Sequence, residues 1–218
     1  MMGLTKLSVL TNMENGKKMK EIKLIIGVPI LFPYVHWRFW KSYEQLEKPK
    51  NTVLQVVTGT TIAVARNKLV SFSKEADYLL FLDSDMIMPP DLIERLLEHD
   101  KDIVGALAFQ RKYPHKPTLL KLVQEPADYM PDEIKGELQE TDATGCACLL
   151  IKTSVFNKID HPWFDFSVYK QGQAVGEDIG FCQKAKEAGF KIYVDTELEC
   201  GHITDRVIGK IDYVNRGL

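Results

Sequence analysis

The chain contains the stretch Asp77-Tyr78-Leu79-Leu80-Phe81-Leu82-Asp83-Ser84-Asp85-Met86, in which an apolar run ends in two carboxylates one residue apart. Large apolar residues in uninterrupted succession predict a strand that is buried on both faces of a sheet. Because Pro89 and Pro90 follow closely, we expect the chain to leave the sheet here. Asp83 and Asp85 are therefore predicted to lie at the carboxyl end of a central strand, where open α/β sheets bind ligands.

Two carboxylates at this position repel each other unless a positive charge lies between them. A divalent metal held by oxygen ligands supplies that charge, and phosphate oxygens commonly complete its coordination shell. An Asp-x-Asp pair also occurs in plain surface turns, because Asp favours turns. The buried strand directly before the pair favours the binding interpretation, since it gives the carboxylates a rigid base.

The composition is that of an ordinary soluble domain. With 218 residues, 45% of them hydrophobic and 27% charged, the chain is long enough for one domain with a real core. A formal net charge of -2 argues against a nucleic-acid binder, which would carry a basic excess. The apolar runs are strand-sized and the N-terminus lacks a signal-peptide core, so we expect no integral membrane segment and a cytoplasmic protein.

The pattern along the chain predicts a single α/β domain over residues 21–204, between a mobile leader at 1–20 and a tail at 205–218. Its two halves would be a nucleotide-binding half, 21–110, and an acceptor half, 111–204. Strands are predicted near residues 22–29, 52–57, 78–82, 102–109, 118–123, 146–151 and 191–194, and helices near 61–74, 91–99 and 177–188. The acidic segment 125–140 is interpreted as an excursion over the sheet.

The cysteines are Cys146, Cys148, Cys182 and Cys200, and their spacing is not that of a disulfide framework. We interpret them as small core residues. A zinc site that combines them with His202 is the alternative, although the paired Cys-x-x-Cys spacing of such sites is missing.

Two further polar pairs open predicted helices. Arg66-Asn67 lies on the first turns of a helix that begins at the ligand edge of the sheet, so Arg66 could reach an anion there, although most surface arginines are simply solvated. Glu177-Asp178 follows Gly176 at a later helix start and is either a capping pair or part of a site. The helix dipole would keep Asp178 ionised.

The order of three motifs, Asp83-Ser84-Asp85, Gly176-Glu177-Asp178 and Gly201-His202, resembles the GT-A class of nucleotide-sugar glycosyltransferases, close to glycosyltransferase family 2. The resemblance extends from about residue 22 to residue 202. Its more specific parts are Leu80-Phe81-Leu82-Asp83-Ser84-Asp85, Gly145-Cys146-Ala147-Cys148-Leu149-Leu150-Ile151-Lys152, Gly176-Glu177-Asp178-Ile179-Gly180-Phe181-Cys182 and Ala188-Gly189-Phe190-Lys191-Ile192. It implies a three-layer α/β/α sandwich around a mostly parallel, mixed central sheet.

The resemblance also implies a donor site. The Asp-Ser-Asp motif, residues 83–85, would hold Mn²⁺ (or Mg²⁺) and the diphosphate of a nucleotide sugar, with a UDP-sugar favoured. Asp85 would be the more direct ligand, Asp83 would join it, and His202 would be a third. Residues near the base, ribose and phosphates of the donor would be Pro29, Thr58, Thr60, Arg66, Asn67 and Ser84.

The acceptor side follows from the same resemblance. Glu177 and Asp178 would face an acceptor hydroxyl, and Asp178 would be the general base in an inverting enzyme. An ionised carboxylate within hydrogen-bond reach of a hydroxyl can take its proton as the oxygen attacks. The acceptor could be a glycan, a lipid, a protein or a small molecule.

Three other classes of protein remain as alternatives. A haloacid-dehalogenase-like phosphatase would use Asp83 as its nucleophile, although that motif normally follows the first strand. A nucleotidyltransferase would need a Gly-rich basic loop where this chain has Pro29-Ile30-Leu31-Phe32-Pro33. A catalytically silent sugar-nucleotide-binding module would keep the metal site alone. The missing Gln-x-x-Arg-Trp motif argues against a processive polysaccharide synthase.

Overall fold

The computed structural model describes residues 21–124, 128–166 and 175–204. The predicted leader at 1–20 and the predicted tail at 205–218 lie outside the described residues. Within the described part, the strands are β1 Lys23–Ile30, β2 Asn51–Thr58, β3 Tyr78–Leu82, β4 Met86–Ile87, β5 Ile103–Leu107, β6 Leu119–Gln124, β7 Asp128–Pro131, β8 Leu138–Thr141, β9 Ala143–Thr144, β10 Cys148–Lys152, β11 Ile192–Glu199 and β12 Gly201–His202. The α-helices are α1 Trp37–Gln45, α2 Ile62–Phe72, α3 Leu92–Glu98 and α4 Glu177–Glu187, and a short 3-10 helix covers Thr153–Asn157.

A seven-stranded sheet in the order β2-β1-β3-β10-β5-β11-β8 forms the centre of the fold. β1 is parallel to β2 and β3, and β11 is parallel to β5. β10 is antiparallel to both β3 and β5, so β3 and β5 point the same way. β8 is antiparallel to β11 at one edge of the sheet. The sheet is therefore mixed and mostly parallel, as predicted.

The central strand β3 is buried on both faces, because its alternate side chains enter two different hydrophobic cores. Leu80 and Leu82 pack into one core with residues of α1 and α3. Leu79 and Phe81 pack into the other with residues of α2 and α4. Because helices cover the strand on both faces, its sequence is a continuous apolar run. The sheet between two layers of helices gives the fold three layers.

The chain leaves the central sheet after Leu82, as predicted, and enters a separate two-stranded sheet. Met86 and Ile87 first form the two-residue strand β4, which pairs antiparallel with β12. The helix then begins at Leu92, after Pro89 and Pro90. This short pairing matters for the site, because it brings His202 opposite Met86.

Residues 125–140 were interpreted only as an excursion, but their described part is more ordered than that. β7 pairs with β6 in a separate three-stranded sheet in the order β7-β6-β9. β8 joins the central sheet, with Gln139 and Thr141 facing inward. Both buried side chains are hydrogen-bonded: Gln139 Nε2 donates to the Glu133 carbonyl and Thr141 Oγ1 to the Leu120 carbonyl.

The described residues include no helix that could cross a bilayer. The longest helices, α2 and α4, have 11 residues each. A membrane-spanning helix needs about 20 apolar residues.

A buried carboxylate ties α3 to β11. Asp195 is 2% exposed. Its oxygens accept hydrogen bonds from Arg95 Nη2 at 2.8 and 3.1 Å and lie 2.9 Å from His99 Nε2. The backbone N–H groups of Glu197 and Leu198 also donate to it, each at 3.0 Å. Burial alone would raise the pKa of Asp195, but these partners hold it below its ordinary value.

We expect Asp195→Asn to lower the free energy of unfolding at pH 7 by about 2 kcal/mol, the worth of hydrogen bonds to a charged group. A carboxylate whose pKa is depressed by folding stabilises the protein above its unfolded pKa of about 3.9, and that stabilisation is lost as pH falls through the lower folded value. Urea denaturation from pH 7 to pH 3 measures the difference in the free energy of unfolding between wild type and variant, and this difference should decrease as the pH falls. A difference that stays constant or increases at low pH would contradict this role for Asp195.

Candidate active site

The pairing of β4 with β12 creates the first half of the site, because it places two distant side chains together. Asp85 immediately precedes β4, and the Ile203 N–H donates to the Asp85 carbonyl at 2.7 Å. His202, in β12, therefore lies beside Asp85, with its Nε2 3.3 Å from Asp85 Oδ2. Residues 117 positions apart in sequence thus meet at the carboxyl end of the central strand, as the motif order predicted.

The orientation of the His202 ring is fixed by its other nitrogen. Nδ1 lies 2.7 Å from the carbonyl oxygen of Phe109. Because a carbonyl can only accept, Nδ1 carries a proton, and in the neutral ring Nε2 presents its lone pair toward Asp85. A histidine held in this way by a backbone carbonyl is arranged as metal ligands commonly are.

In the absence of a metal ion, the two side chains stabilise each other's charge. Burial alone would raise the pKa of Asp85, but His202 and Arg111 bring it below the ordinary value. Burial would lower the pKa of His202, but the hydrogen bonds to Asp85 and to the Phe109 carbonyl raise it. The carboxylate therefore requires positive charge at this position, which a protonated His202 or a cation can supply.

The donor set at this point fits a divalent metal ion in part. A carboxylate oxygen and an imidazole nitrogen 3.3 Å apart can reach one ion with bonds of about 2.1 Å. Mg²⁺-type sites commonly use only one or two protein carboxylates, with substrate phosphates and water completing the shell. Among residues 21–124, 128–166 and 175–204, however, no three His, Cys, Asp or Glu side chains are grouped to hold a metal.

Asp83 has a different partner, which is why the predicted set of three ligands is not assembled. Both of its oxygens accept from Arg66 Nη2, at 3.0 and 3.2 Å. The other terminal nitrogen, Nη1, is ion-paired with Glu177. Arg66 is only 3% exposed, so it is a buried bridge between the Asp83-Ser84-Asp85 motif and Glu177 rather than a solvated surface arginine.

This bridge joins the two halves of the predicted site. Arg66 comes from α2, Asp83 from the end of β3, and Glu177 from the first turn of α4. Burial raises the pKa of Glu177, and the Arg66 guanidinium opposes that rise. Since one guanidinium holds both carboxylates, the Asp83-Ser84-Asp85 motif and the Glu177-Asp178 pair have a fixed relation to each other.

Asp178 lies beside this bridge, and two glycines border its carboxylate. A Cβ added to Gly176 would lie 2.6 Å from Asp178 Oδ1, and one added to Gly145 would lie 3.6 Å from Oδ2. Oδ1 accepts from the Ile179 N–H at 2.8 Å. A side chain at position 176 would collide with this carboxylate in its present position. This steric restriction explains why a glycine precedes the Glu-Asp pair.

The surroundings of Asp178, and not only its place at the start of α4, affect its ionisation. Burial raises the pKa of Asp178, and the Arg66 guanidinium and the Ile179 N–H only partly offset it. The raised pKa makes this carboxylate a stronger proton acceptor than an ordinary exposed Asp, which suits a general base.

The remaining predicted donor-site residues lie around the same sheet edge without joining this cluster. Asn67 is used to hold a loop: its amide nitrogen donates to the Phe164 carbonyl at 2.6 Å and its oxygen accepts from the Phe164 N–H at 3.2 Å. Pro29 is buried in β1, where it pairs in register with Val57. The other three are the exposed Thr58 at the end of β2 and the half-buried Thr60 and Ser84.

Arg111 is a site residue that sequence reasoning did not identify. Its Nη1 lies 3.1 Å from Asp85 Oδ2, the oxygen that also faces His202. The sequence signal is the basic character of residues 110–116. Nothing in the sequence assigned one of its cations to Asp85.

The cysteines do not join the site as metal ligands. All four are free, buried thiols. Cys182 Sγ donates to the Thr144 carbonyl at 3.5 Å, and burial raises its pKa to about 12. His202 faces Asp85 rather than a thiol, so the zinc alternative finds no support in the described residues.

Comparison with known proteins agrees with this architecture. The model of the Anp1 family matches residues 35–129, which is less than half of the chain. Among curated protein sequences, none matches the chain. The matched segment contains α2, β3 and the Asp83-Ser84-Asp85 motif.

Solved structures share the fold at low sequence identity. A197 from STIV superposes with a TM-score of 0.60 and 18% identity, over 84% of this chain and 87% of that one. GalNAc-T7, solved with UDP, GalNAc and Mn²⁺, superposes with a TM-score of 0.56 and 12% identity. The superposition covers 85% of this chain but only 44% of GalNAc-T7, so this chain spans less than half of that protein. The predicted resemblance is thus confirmed: the chain has a glycosyltransferase-like GT-A fold and, over residues 35–129, matches the Anp1 family model.

Proposed function

We propose that this protein is a metal-dependent glycosyltransferase that moves a sugar from a nucleoside-diphosphate sugar to a hydroxyl acceptor. The observation that carries the proposal is the meeting of Asp85 and His202 at the carboxyl end of β3, 3.3 Å apart and with the His202 tautomer fixed. The Asp178 carboxylate directly follows Glu177, which Arg66 joins to Asp83 of the motif. A similar fold alone does not identify a function, but these side chains can bind a metal ion and accept a proton, which are the two tasks that the proposed sugar transfer requires.

The donor side of the site rests on Asp85 and His202, which would hold Mn²⁺ or Mg²⁺. When bound, the metal would neutralise the charge that develops on the diphosphate as the sugar–phosphate bond breaks. Asp83 is assigned a supporting role, because its two oxygens hold Arg66. Ser84 lies between the two carboxylates, and its hydroxyl is proposed to contact the diphosphate.

The nucleoside would extend along the same sheet edge toward β1 and β2. We assign its base and ribose to the end of those strands, near Pro29, Thr58 and Thr60. UDP is the nucleotide we favour, because GalNAc-T7, which shares the fold, is solved with UDP and Mn²⁺.

On the acceptor side, Asp178 is proposed as the general base. Its raised pKa favours uptake of the proton from an attacking hydroxyl. Gly145 and Gly176, which have no side chains, border the carboxylate. Glu177 is buried and ion-paired with Arg66, so we assign it to positioning rather than to proton transfer.

The phosphatase alternative is weakened by the surroundings of Asp83. A nucleophilic aspartate needs an oxygen directed at the phosphorus atom, but both oxygens of Asp83 bind a guanidinium that is almost fully buried. Among the described residues, its strand is also the third rather than the first.

We expect the wild-type protein to release UDP from a UDP-sugar in the presence of Mn²⁺ and to leave p-nitrophenyl phosphate intact. Asp85→Ala should reduce UDP release by about 100-fold or more, because removing a charged ligand leaves the metal with one protein donor. Coupled detection of free UDP measures both proteins, with Asp91→Ala as a matched control, since Asp91 lies on the exposed surface just beyond the motif.

Two results would count against the proposal. Phosphomonoester hydrolysis that depends on Asp83 would favour the phosphatase, and full activity in Asp85→Ala would remove that carboxylate from the metal site. Binding of Mn²⁺ and nucleotide without any turnover would favour the catalytically silent module.

A further inference from the structure

We propose that Arg111 neutralises Asp85 while the nucleotide is absent and exchanges that carboxylate for the donor diphosphate when the metal–nucleotide complex binds. The inference rests on the proposed function and adds a residue and an exchange of partners to it. It is drawn from an ion pair at the metal position, the exposure of its two members, and the charge of the loop that carries the arginine.

The first step is that Arg111 and a metal would compete for the same atom. Arg111 Nη1 lies 3.1 Å from Asp85 Oδ2, and His202 Nε2 lies 3.3 Å from the same oxygen. A divalent ion bound by Asp85 and His202 would therefore lie next to the guanidinium. Because like charges at such short range repel each other, metal binding requires Arg111 to move away from Asp85.

The second step is that Arg111 is free to move, unlike the other arginine of the site. Its side chain is 53% exposed, whereas that of Arg66 is 3% exposed. An ion pair of this kind at the surface contributes little to stability and is easily exchanged, whereas a buried guanidinium between two carboxylates is not. The two arginines are therefore suited to different tasks: Arg66 fixes the site, and Arg111 can change partners.

The third step is that the charge and the exposure of the loop carrying Arg111 favour binding of an anion. Residues 110–116 carry three formal positive charges, Arg111, Lys112 and Lys116, and no carboxylate, and all seven residues are exposed. A planar guanidinium matches two phosphate oxygens at once, and a cluster of cations beside it strengthens the attraction for a diphosphate.

The fourth step is that the base of this loop is fixed to the metal site. Phe109 and Pro117 form a β-bridge, and the Gln110 N–H donates to the Lys116 carbonyl at 2.8 Å. The Phe109 carbonyl is also the acceptor that orients His202. The cationic tip is therefore held beside the position that the metal and the diphosphate would occupy, and a swing of the Arg111 side chain is enough to change its partner.

The exchange predicts two effects of opposite sign for Arg111→Gln. Titration of Mn²⁺ into the nucleotide-free variant should show about threefold tighter binding than in wild type, because a competing cation is gone. Titration of UDP, and in turn of GDP, into the Mn²⁺-loaded variant should show about tenfold weaker binding, because a charge-assisted contact to the diphosphate is lost. Calorimetry measures both.

Lys112→Gln is the matched control, since it removes the same charge from the neighbouring position of the same loop. It should leave the Mn²⁺ affinity of the nucleotide-free protein within error of wild type. Unchanged or weaker Mn²⁺ binding in Arg111→Gln, or unchanged nucleotide binding, would overturn the exchange while leaving the proposed function in place. A wild-type protein that binds neither UDP nor GDP in the presence of Mn²⁺ would overturn the proposed function and the exchange with it.

Discussion

Asp178→Asn should lower the rate of sugar transfer by about 1,000-fold, the middle of the range for loss of a general base, while nucleotide affinity stays unchanged. The amide has nearly the same shape as the carboxylate, so the space between Gly145 and Gly176 remains filled. It cannot accept the proton of an attacking hydroxyl. The effect should therefore be confined to turnover.

The measurement is the initial rate of UDP release together with the dissociation constant of UDP in the presence of Mn²⁺. Glu187→Gln, an exposed position at the other end of α4, removes the same charge and should leave both values unchanged. The wild-type rate should also fall on acidification at a pH above the ordinary Asp pKa of about 3.9, because burial raises the pKa of Asp178 and the base must be deprotonated. A variant that transfers at the wild-type rate would refute the assignment of Asp178 as the base.

Arg66→Met should lower the free energy of unfolding by about 3–5 kcal/mol, the cost of breaking a buried ion pair by removing one partner. The loss is large because Glu177 is buried and would keep a negative charge without its counter-charge. Asp83 would lose its partner too, although it is more exposed and can recover some hydration. Urea denaturation monitored by far-UV circular dichroism gives the free energy.

A double variant separates loss of charge balance from loss of packing. Arg66→Met combined with Glu177→Gln removes the uncompensated buried charge, so it should recover part of the stability that Arg66→Met loses. Lys68→Met, an exposed cation on the same helix, should change stability by no more than about 0.5 kcal/mol. If Arg66→Met were as stable as the Lys68 variant, the buried bridge would not be an important element of the site.

The central strand and the position of its two carboxylates could be predicted because their signals are local. Leu79 to Leu82 are apolar at every position, which reports burial on both faces, and Asp83 and Asp85 follow at once. The mostly parallel sheet could be predicted for the same reason, because β1 and β5 are also largely apolar runs.

The pairing partners could not be predicted, because they depend on residues far apart in the chain. β4 and β12 have two residues each, too short for any periodicity, although their pairing places His202 beside Asp85. β8 was overlooked because its inward positions are the polar Gln139 and Thr141, whose burial is compensated by hydrogen bonds to the Glu133 and Leu120 carbonyls.

The partners of the charged groups could be identified only from the structure. Arg66 could not be recognised as buried from its place on an amphipathic helix, since its carboxylate partners lie 17 and 111 residues away. The effect of burial on the pKa of Asp178 could not be predicted from its place at the start of a helix. Arg111 was overlooked because nothing in a run of exposed basic residues distinguishes the one that reaches Asp85.

The central claim is that Asp85 and His202 form a metal-dependent nucleotide site at the end of β3, and calorimetric titration with UDP tests it most directly. The account predicts saturable UDP binding in the presence of Mn²⁺, loss of that binding when EDTA removes the metal, and its loss in Asp85→Ala with the fold intact. UDP binding that survives both EDTA and Asp85→Ala would contradict it.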